Sequence, residues 1–76
     1  IFELAASRVG VPLPRLAHVG DSEEADVAGA CGAGAFAIRF DAFVPDAAMT
    51  ESRAHARAST FPALRQVLAL AVDRPL

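Results

Sequence analysis

The sequence predicts an α/β fold built around a parallel sheet. Apolar residues at helical spacing mark helices near both ends, and short apolar runs between them suit buried strands. The resulting order is helix, strand, helix, strand, short edge strand, helix, which is typical of α/β units. Two or three strands are too few for a complete sheet, so we expect another part of the protein to supply its centre. The chain also starts inside a helix that has no capping residue, so we expect it to be a piece of a longer protein.

The first half of the chain contains a helix and a strand. The apolar stripe of the helix at positions 1–9 consists of Ile1, Leu4, Ala5 and Val9. Gly10 ends this helix, and Pro12 and Pro14 prevent its continuation. Residues 16–19 then form a short apolar run before a Gly-Asp pair, which predicts a buried strand.

The second half repeats this alternation. An Ala-rich helix is predicted over 23–31, ended by Gly32 and Gly34, and a strand over 35–40. After this strand, the sequence predicts a loop at 41–52, loosely helical in places, and then a short edge strand at 54–58. The last helix has Ser59 or Thr60 as its cap and Pro62 in its first turn. Its shared apolar face consists of Phe61, Leu64, Val67, Leu68 and Ala71.

Composition excludes several classes of protein. The chain is 54% hydrophobic, which argues against intrinsic disorder, and its net charge of −2 offers no basic field for nucleic acid. No apolar run is long enough for a membrane span and no signal segment occurs, so we expect a cytoplasmic setting. The single cysteine, Cys31, has no partner for a disulfide or a zinc site and is interpreted as a small buried hydrophobe. Nothing in the sequence indicates the oligomeric state.

The most informative segment is an acidic loop at the end of the first strand. Gly20 and Asp21 follow the strand directly, and Asp26 comes five residues after Asp21, near the start of a helix. Ligands of open α/β sheets bind at the carboxyl ends of the strands, and Gly20 permits a tight turn there. Two carboxylates that converge at this position suit Mg²⁺, which prefers oxygen ligands and is usually shared with substrate phosphate. The alternative is that these acids only cap a helix, with Asp21 and Glu24 forming a capping box.

The loop and its surroundings resemble a known family. Three segments carry the resemblance: His-Val-Gly-Asp-Ser at 18–22, Asp-Val-Ala-Gly-Ala at 26–30, and Ala33-Gly34 before an apolar strand. Together they are similar to the fourth motif of haloacid dehalogenase-superfamily phosphatases. The helix at 1–9 resembles the one that follows the family's third-motif lysine. Residues 56–70 resemble its terminal strand and helix. The resemblance covers nearly all of residues 1–76 and implies the C-terminal part of a Rossmann-like three-layer hydrolase core with a parallel sheet.

The resemblance also implies roles for individual residues. Asp21 corresponds to the principal magnesium ligand of this motif, and Asp26 to the second acid, which binds the metal or its water shell. Gly20 and Ser22 would shape the loop. Ala25 stands where many relatives have Asn, so one hydrogen bond near the metal is expected to be absent.

Catalytic residues of the family are absent from this sequence. Its nucleophilic aspartate lies in an Asp-x-Asp motif, its lysine lies before the motif found here, and this chain has neither an Asp-x-Asp pair nor any lysine. We therefore expect a phosphatase-type hydrolase whose nucleophile, which forms an aspartyl-phosphate, lies upstream of this chain. Residues 1–76 alone should be inactive. The members that this chain most resembles have a helical cap inserted near the nucleophile, and the resemblance implies a small phosphorylated metabolite as substrate. A mutase or dehalogenase reaction is the alternative within the family, and a non-catalytic α/β module is the alternative outside it.

Three other features have structural interpretations. The stretch 32–37 fits a Gly-x-Gly-x-x-Ala dinucleotide pattern, but it follows a helix and opens a strand, which is the reverse of the required order. His18 is interpreted as a packed or half-exposed strand residue rather than a base or metal ligand. His55 is placed on a solvated surface segment between two arginines.

Overall fold

A computed structural model describes residues 1–44 and 51–72, and the side chains of these residues up to position 71. It contains three helices and a sheet of three parallel strands. The α/β class and the parallel sheet predicted from the sequence are thereby confirmed. Part of the predicted loop at 41–52 lies outside the described residues, and so does the end of the chain after the last helix. Within the described part, no helix is long and apolar enough to cross a membrane.

The sheet has the strand order β1-β2-β3, with β1 at Ala17–Gly20, β2 at Phe36–Phe40 and β3 at Ala56–Ala58. Each predicted strand is present within one or two residues of its expected bounds. The prediction that the first strand is buried is wrong: Ala17 and Val19 are exposed, because β1 is an edge strand of the described sheet. All neighbours run parallel, and Gly20, the last residue of β1, pairs with Arg39 near the end of β2. The carboxyl ends of β1 and β2 therefore lie side by side at one edge of the sheet.

Helix α1 spans Phe2–Val9 and ends at Gly10, whose φ of 74° is the left-handed conformation expected of a glycine cap. The apolar stripe predicted for this helix does not pack inward. Ile1, Leu4 and Val9 are 90%, 55% and 65% exposed, and Ala5 is exposed as well. The face that packs inward instead carries Phe2 and Ala6. The reason lies in α2, where Gly29 has no side chain and leaves room for the Phe2 ring.

The second helical segment starts with a π-helical turn at Glu23–Val27 and continues as α2 at Ala28–Ala33. It ends at Gly34 with φ 88°, as predicted, whereas Gly32, the other glycine expected to end this helix, lies within it. Strand β2 follows directly, so the order of helix and strand at 32–37 is the one that excludes a dinucleotide fingerprint.

The core is small and built from small side chains. One cluster consists of the buried residues Val27, Ala30, Ala35 and Ala37, with partly buried neighbours such as Leu13, Leu16 and Cys31 packed around them. The other buried apolar residues are Ala6, Ile38 and Ala58. Leu13 belongs to a short 3-10 turn, Leu13–Arg15, that leads into β1. Cys31, expected to be a small buried hydrophobe, carries a free thiol and packs against the core, but it is only half-buried.

Helix α3 spans Phe61–Val72 and packs against β3. The hydroxyl of Thr60 accepts a hydrogen bond from the amide of Ala63 at 3.1 Å, so Thr60 is the cap. The predicted apolar face is only partly covered: Leu64, Val67 and Ala71 are half-buried, whereas Phe61 and Leu68 are exposed.

Two ion pairs hold the strand ends in place. The Arg39 guanidinium, on β2, is buried and donates to Glu23 Oε1 at 2.8 Å. After β2, the Asp41 carboxylate is 2% exposed and accepts hydrogen bonds from Ser59 Oγ at 2.6 Å and Arg57 Nη2 at 2.7 Å. The Ser59 hydroxyl, followed by the Arg57 guanidinium, holds the pKa of Asp41 below its usual range. Buried carboxylates are tolerated when they are satisfied in this way.

Candidate functional site

The acidic loop lies in a cavity at the carboxyl ends of β1 and β2. The cavity has a volume of about 310 Å³ and is lined by Val19, Gly20, Asp21, Asp26, Phe40 and Phe43. Asp21 is exposed and Asp26 is half-buried, and both acids contribute to the same crevice. The position at the strand ends is where open α/β sheets bind ligands.

Asp26 is held in a fixed orientation by two hydrogen bonds. Its Oδ1 lies 2.9 Å from Nε2 of His18, and its Oδ2 accepts the backbone N–H of Ser22 at 3.0 Å. The His18 hydrogen bond, followed by the Ser22 amide, keeps the pKa of Asp26 below its usual range. Because an ionised carboxylate only accepts hydrogen bonds, Nε2 of His18 must carry a proton.

Gly20 allows this arrangement because it has no side chain. A Cβ at this position would overlap the Cβ and the carboxylate of Asp26. Among the described glycines, positive φ values occur at Gly10 and Gly34 but not at Gly20. Gly20 is therefore needed for the close approach of Asp26 to β1, not for a left-handed backbone.

Ser22 caps the helical segment that follows the loop. Its Oγ accepts the backbone N–H of Ala25 at 3.0 Å, and its backbone is extended. The alternative capping box, with Asp21 as the cap, is therefore wrong. Asp26 lies within the π-helical turn, where the Ser22 carbonyl accepts the amides of both Asp26 and Val27. Such turns recur at functional sites.

Both histidines have contacts that the sequence did not show. His18 packs edge-to-face against Phe2, with ring centroids 4.9 Å apart, while it holds Asp26. The expectation of a packed strand residue is correct, but its partner was missed. His55 is exposed, as predicted, yet its Nδ1 accepts the amide of Ala37 at 2.9 Å and its ring stacks on Phe36. The proton of the neutral His55 ring is thus on Nε2.

Two phenylalanines complete the cavity. Phe40 is the last residue of β2, and Phe43 follows in the turn after it. The centroid of the Phe40 ring lies 6.3 Å from that of Phe43 and 4.9 Å from that of Phe61 at the start of α3. Sequence reasoning missed both lining residues. The short apolar run at 35–40 identifies Phe40 as a strand residue, but nothing local indicates that Phe43 shares a cavity with Asp21.

The donor set suits a partial magnesium site. Among residues 1–44 and 51–72, no group of three or more His, Cys, Asp or Glu side chains is arranged to hold a metal. Mg²⁺ needs fewer protein ligands, because it keeps several waters and is commonly held by one or two carboxylates together with substrate phosphate. Asp21 is exposed, and each Asp26 oxygen has a further lone pair beyond the one it uses. The two acids can thus supply the protein part of such a site.

Comparisons with models of protein families, with curated proteins and with solved structures found no match. The function of the chain therefore has to be inferred from its own residues. The cavity and its two acids are the features that bear most directly on it.

Proposed function

We propose that this chain is the C-terminal part of a magnesium-dependent, phosphatase-type hydrolase that acts on a small phosphorylated metabolite. Its contribution is the acidic loop that binds the metal, with Asp21 and Asp26 as ligands and Gly20 and Ser22 as residues that shape the loop. The observation that carries the proposal is the cavity at the carboxyl ends of two parallel strands, in which both acids take part. The resemblance of residues 18–34 to the fourth motif of haloacid dehalogenase-superfamily phosphatases supports it.

The packing of the sheet supports a Rossmann-like three-layer core. Ala37 packs in one cluster with Val27 and Ala30 of the α2 segment. The Phe40 ring, three residues further along β2, contacts Phe61 of α3. Residues an odd number of positions apart point to opposite faces of a strand. Helices on both faces are the usual environment of a parallel sheet.

The proposed chemistry divides between this chain and the rest of the protein. Mg²⁺ bound at the loop would offset charge on the phosphoryl group and help to hold it for in-line attack. Asp21 and Asp26 would orient that ion, and the His18 and Ser22 hydrogen bonds would keep Asp26 in place. The sequence holds no Asp-x-Asp pair and no lysine, so the nucleophile and the phosphate-binding lysine would come from another part of the protein.

A non-catalytic α/β module is the second candidate, and one observation favours it. Both oxygens of Asp26 already have local hydrogen-bond partners, so Asp26 has a structural role whether or not a metal binds. Asp21 is the residue that separates the two candidates. It is exposed and is not the helix cap, so a purely structural loop gives it no function.

Substitution of Asp21 in the complete protein tests the proposal. Asp21→Asn should reduce magnesium-dependent phosphate release by about 100-fold or more, because metal contacts to a phosphoryl group stabilise the transition state by several kcal/mol. Its melting temperature should stay close to that of the wild type, since the side chain is exposed. Glu24→Gln is the matched control, because it removes the same charge from an exposed position that does not line the cavity.

Two outcomes would contradict the proposal. Near-normal rates of Asp21→Asn at low magnesium would exclude Asp21 as a metal ligand. Equal losses in Asp21→Asn and Glu24→Gln would indicate a general effect of charge. The isolated chain of 76 residues should release no phosphate, and turnover by it would show that the nucleophile has been placed wrongly.

A further inference from the structure

The cavity that contains the two acids also has an aromatic surface. Phe40 and Phe43 both line it, and the Phe43 side chain is 79% exposed. Single exposed apolar residues are common on protein surfaces and by themselves indicate nothing. Here, however, the exposed ring shares its crevice with a second ring and with the pair Asp21 and Asp26.

The turn that carries Phe43 is anchored to the sheet. The amide of Val44 donates to the carbonyl of Asp41 at 3.2 Å, which closes the turn around Phe43. The Asp41 carboxylate is itself buried and bound by Arg57 and Ser59. Phe43 also packs against Phe61, with ring centroids 6.4 Å apart. The exposed ring therefore lines the cavity and is held in place by the turn and by Phe61.

The cavity is lined by both charged and aromatic side chains. Two carboxylates suit a metal and a phosphate, whereas two phenyl rings offer nothing to the hydroxyl groups of a sugar or polyol. Ligand cavities typically combine an apolar, aromatic lining with a few polar groups that fix orientation, and they start at about 300 Å³. The observed volume of about 310 Å³ falls at the lower end of this range, so it suits a phosphate ester with one small ring.

We propose that the substrate is a phosphate monoester whose organic group is aromatic or otherwise flat and apolar, and that Phe43, together with Phe40, contacts this group. The inference rests on the proposed function and narrows its substrate class. Aromatic rings prefer offset or edge-to-face contact with other rings, an arrangement that the exposed ring of Phe43 can offer to a ligand.

Two phosphate monoesters of similar intrinsic reactivity test the inference in the complete protein. Benzyl phosphate and ethyl phosphate both release a primary alcohol on hydrolysis, and only the first carries a ring. With Mg²⁺ present, the wild type should have the higher kcat/KM for benzyl phosphate. Phe43→Ala should lower this value by about five-fold, the scale of one aromatic contact, chiefly through KM. For ethyl phosphate it should change the value less than about two-fold, since no ring contact is lost.

Further variants and a binding measurement make the result specific. Phe43→Leu should keep part of the preference, because it keeps an apolar surface without a ring. Leu4→Ala, at an exposed apolar position on α1 outside the cavity, should leave both substrates unaffected. Calorimetry with benzylphosphonate and ethylphosphonate in the presence of Mg²⁺ should show the same order of affinity without turnover.

The outcomes distinguish the inference from the function on which it rests. If both esters are hydrolysed and Phe43→Ala changes them equally, the aromatic preference is wrong while the phosphatase remains. If Phe43→Ala instead changes the oligomeric state, the exposed face of the ring is covered by another protein chain and the inference also falls. If neither ester is hydrolysed and neither phosphonate binds, both proposals are overturned.

Discussion

Replacing Gly20 with alanine adds a single methyl group at the most crowded point of the acidic loop. The new Cβ would overlap the Cβ and carboxylate of Asp26, so the Asp26 side chain would have to move. The backbone of Gly20 is not in the left-handed region, and alanine can adopt it without strain. The effect of the substitution therefore reports the contact with Asp26 and not backbone geometry.

The size of the effect follows from the two hydrogen bonds that Asp26 would lose. A hydrogen bond to a charged group contributes about 1.5–3 kcal/mol when it is buried. The Asp26 and His18 side chains are 28% and 34% exposed, so water replaces part of each bond and about 1 kcal/mol per bond is a better value. Replacing glycine with alanine returns about 0.5 kcal/mol by restricting the unfolded chain. The net loss in the free energy of unfolding should be about 1.5 kcal/mol.

Urea unfolding of the Gly20→Ala variant, monitored by circular dichroism, measures this loss. Gly32→Ala is the matched control, because it makes the same chemical change in α2, where no atom lies within 4 Å of the added Cβ. That variant should gain about 0.5 kcal/mol, since alanine favours a helix over glycine. The two variants should thus differ by about 2 kcal/mol. If Gly20→Ala proves as harmless as Gly32→Ala, Asp26 does not lie over Gly20 and the geometry of the site is wrong.

Two further predictions concern stability. The pKa of Glu23 is lowered from 4.5 to about 2 by hydrogen bonds from the Ser52 side chain, the Arg53 amide and the Arg39 guanidinium. The stability that Glu23 contributes to the fold is therefore present above pH 4.5 and is lost as the pH falls towards 2. Unfolding measured across this interval should therefore be less dependent on pH in Glu23→Gln than in the wild type, and identical slopes would refute the prediction. Ile38→Ala should lower the free energy of unfolding by about 2–4 kcal/mol, because Ile38 is 1% exposed on the central strand. A shift of the urea midpoint equivalent to less than about 1 kcal/mol would contradict the burial of Ile38.

Local patterns were sufficient for most elements of the fold. The glycine that ends α1, Gly10, and the one that ends α2, Gly34, act through their own backbone conformation, so their roles could be predicted from the chain alone. The face of α1 that packs inward could not be predicted in this way. Most positions of that helix are apolar or small, so more than one stripe was available, and the absence of a side chain at Gly29 selected Phe2.

The candidate site, too, could be predicted only in part. Asp21 and Asp26 were identified because acids that follow a strand have a predictable position in a parallel sheet. The aromatic part of the cavity and the hydrogen bond from His18 were not predicted, since they depend on which strands become neighbours and on how the helical segment turns back over β1.

The sequence by itself determined the alternation of helices and strands, the parallel class of the sheet and the position of two acids at a strand end. These depend on residues close together in the chain. Only the tertiary structure decided the partners of the charged groups: His18 with Asp26, Arg39 with Glu23 and Arg57 with Asp41. The partners lie 8 to 16 residues apart. Hydrophobic spacing indicates which faces of an element are apolar, but not which of them is buried or which side chains meet across the sheet, and that choice is made by packing.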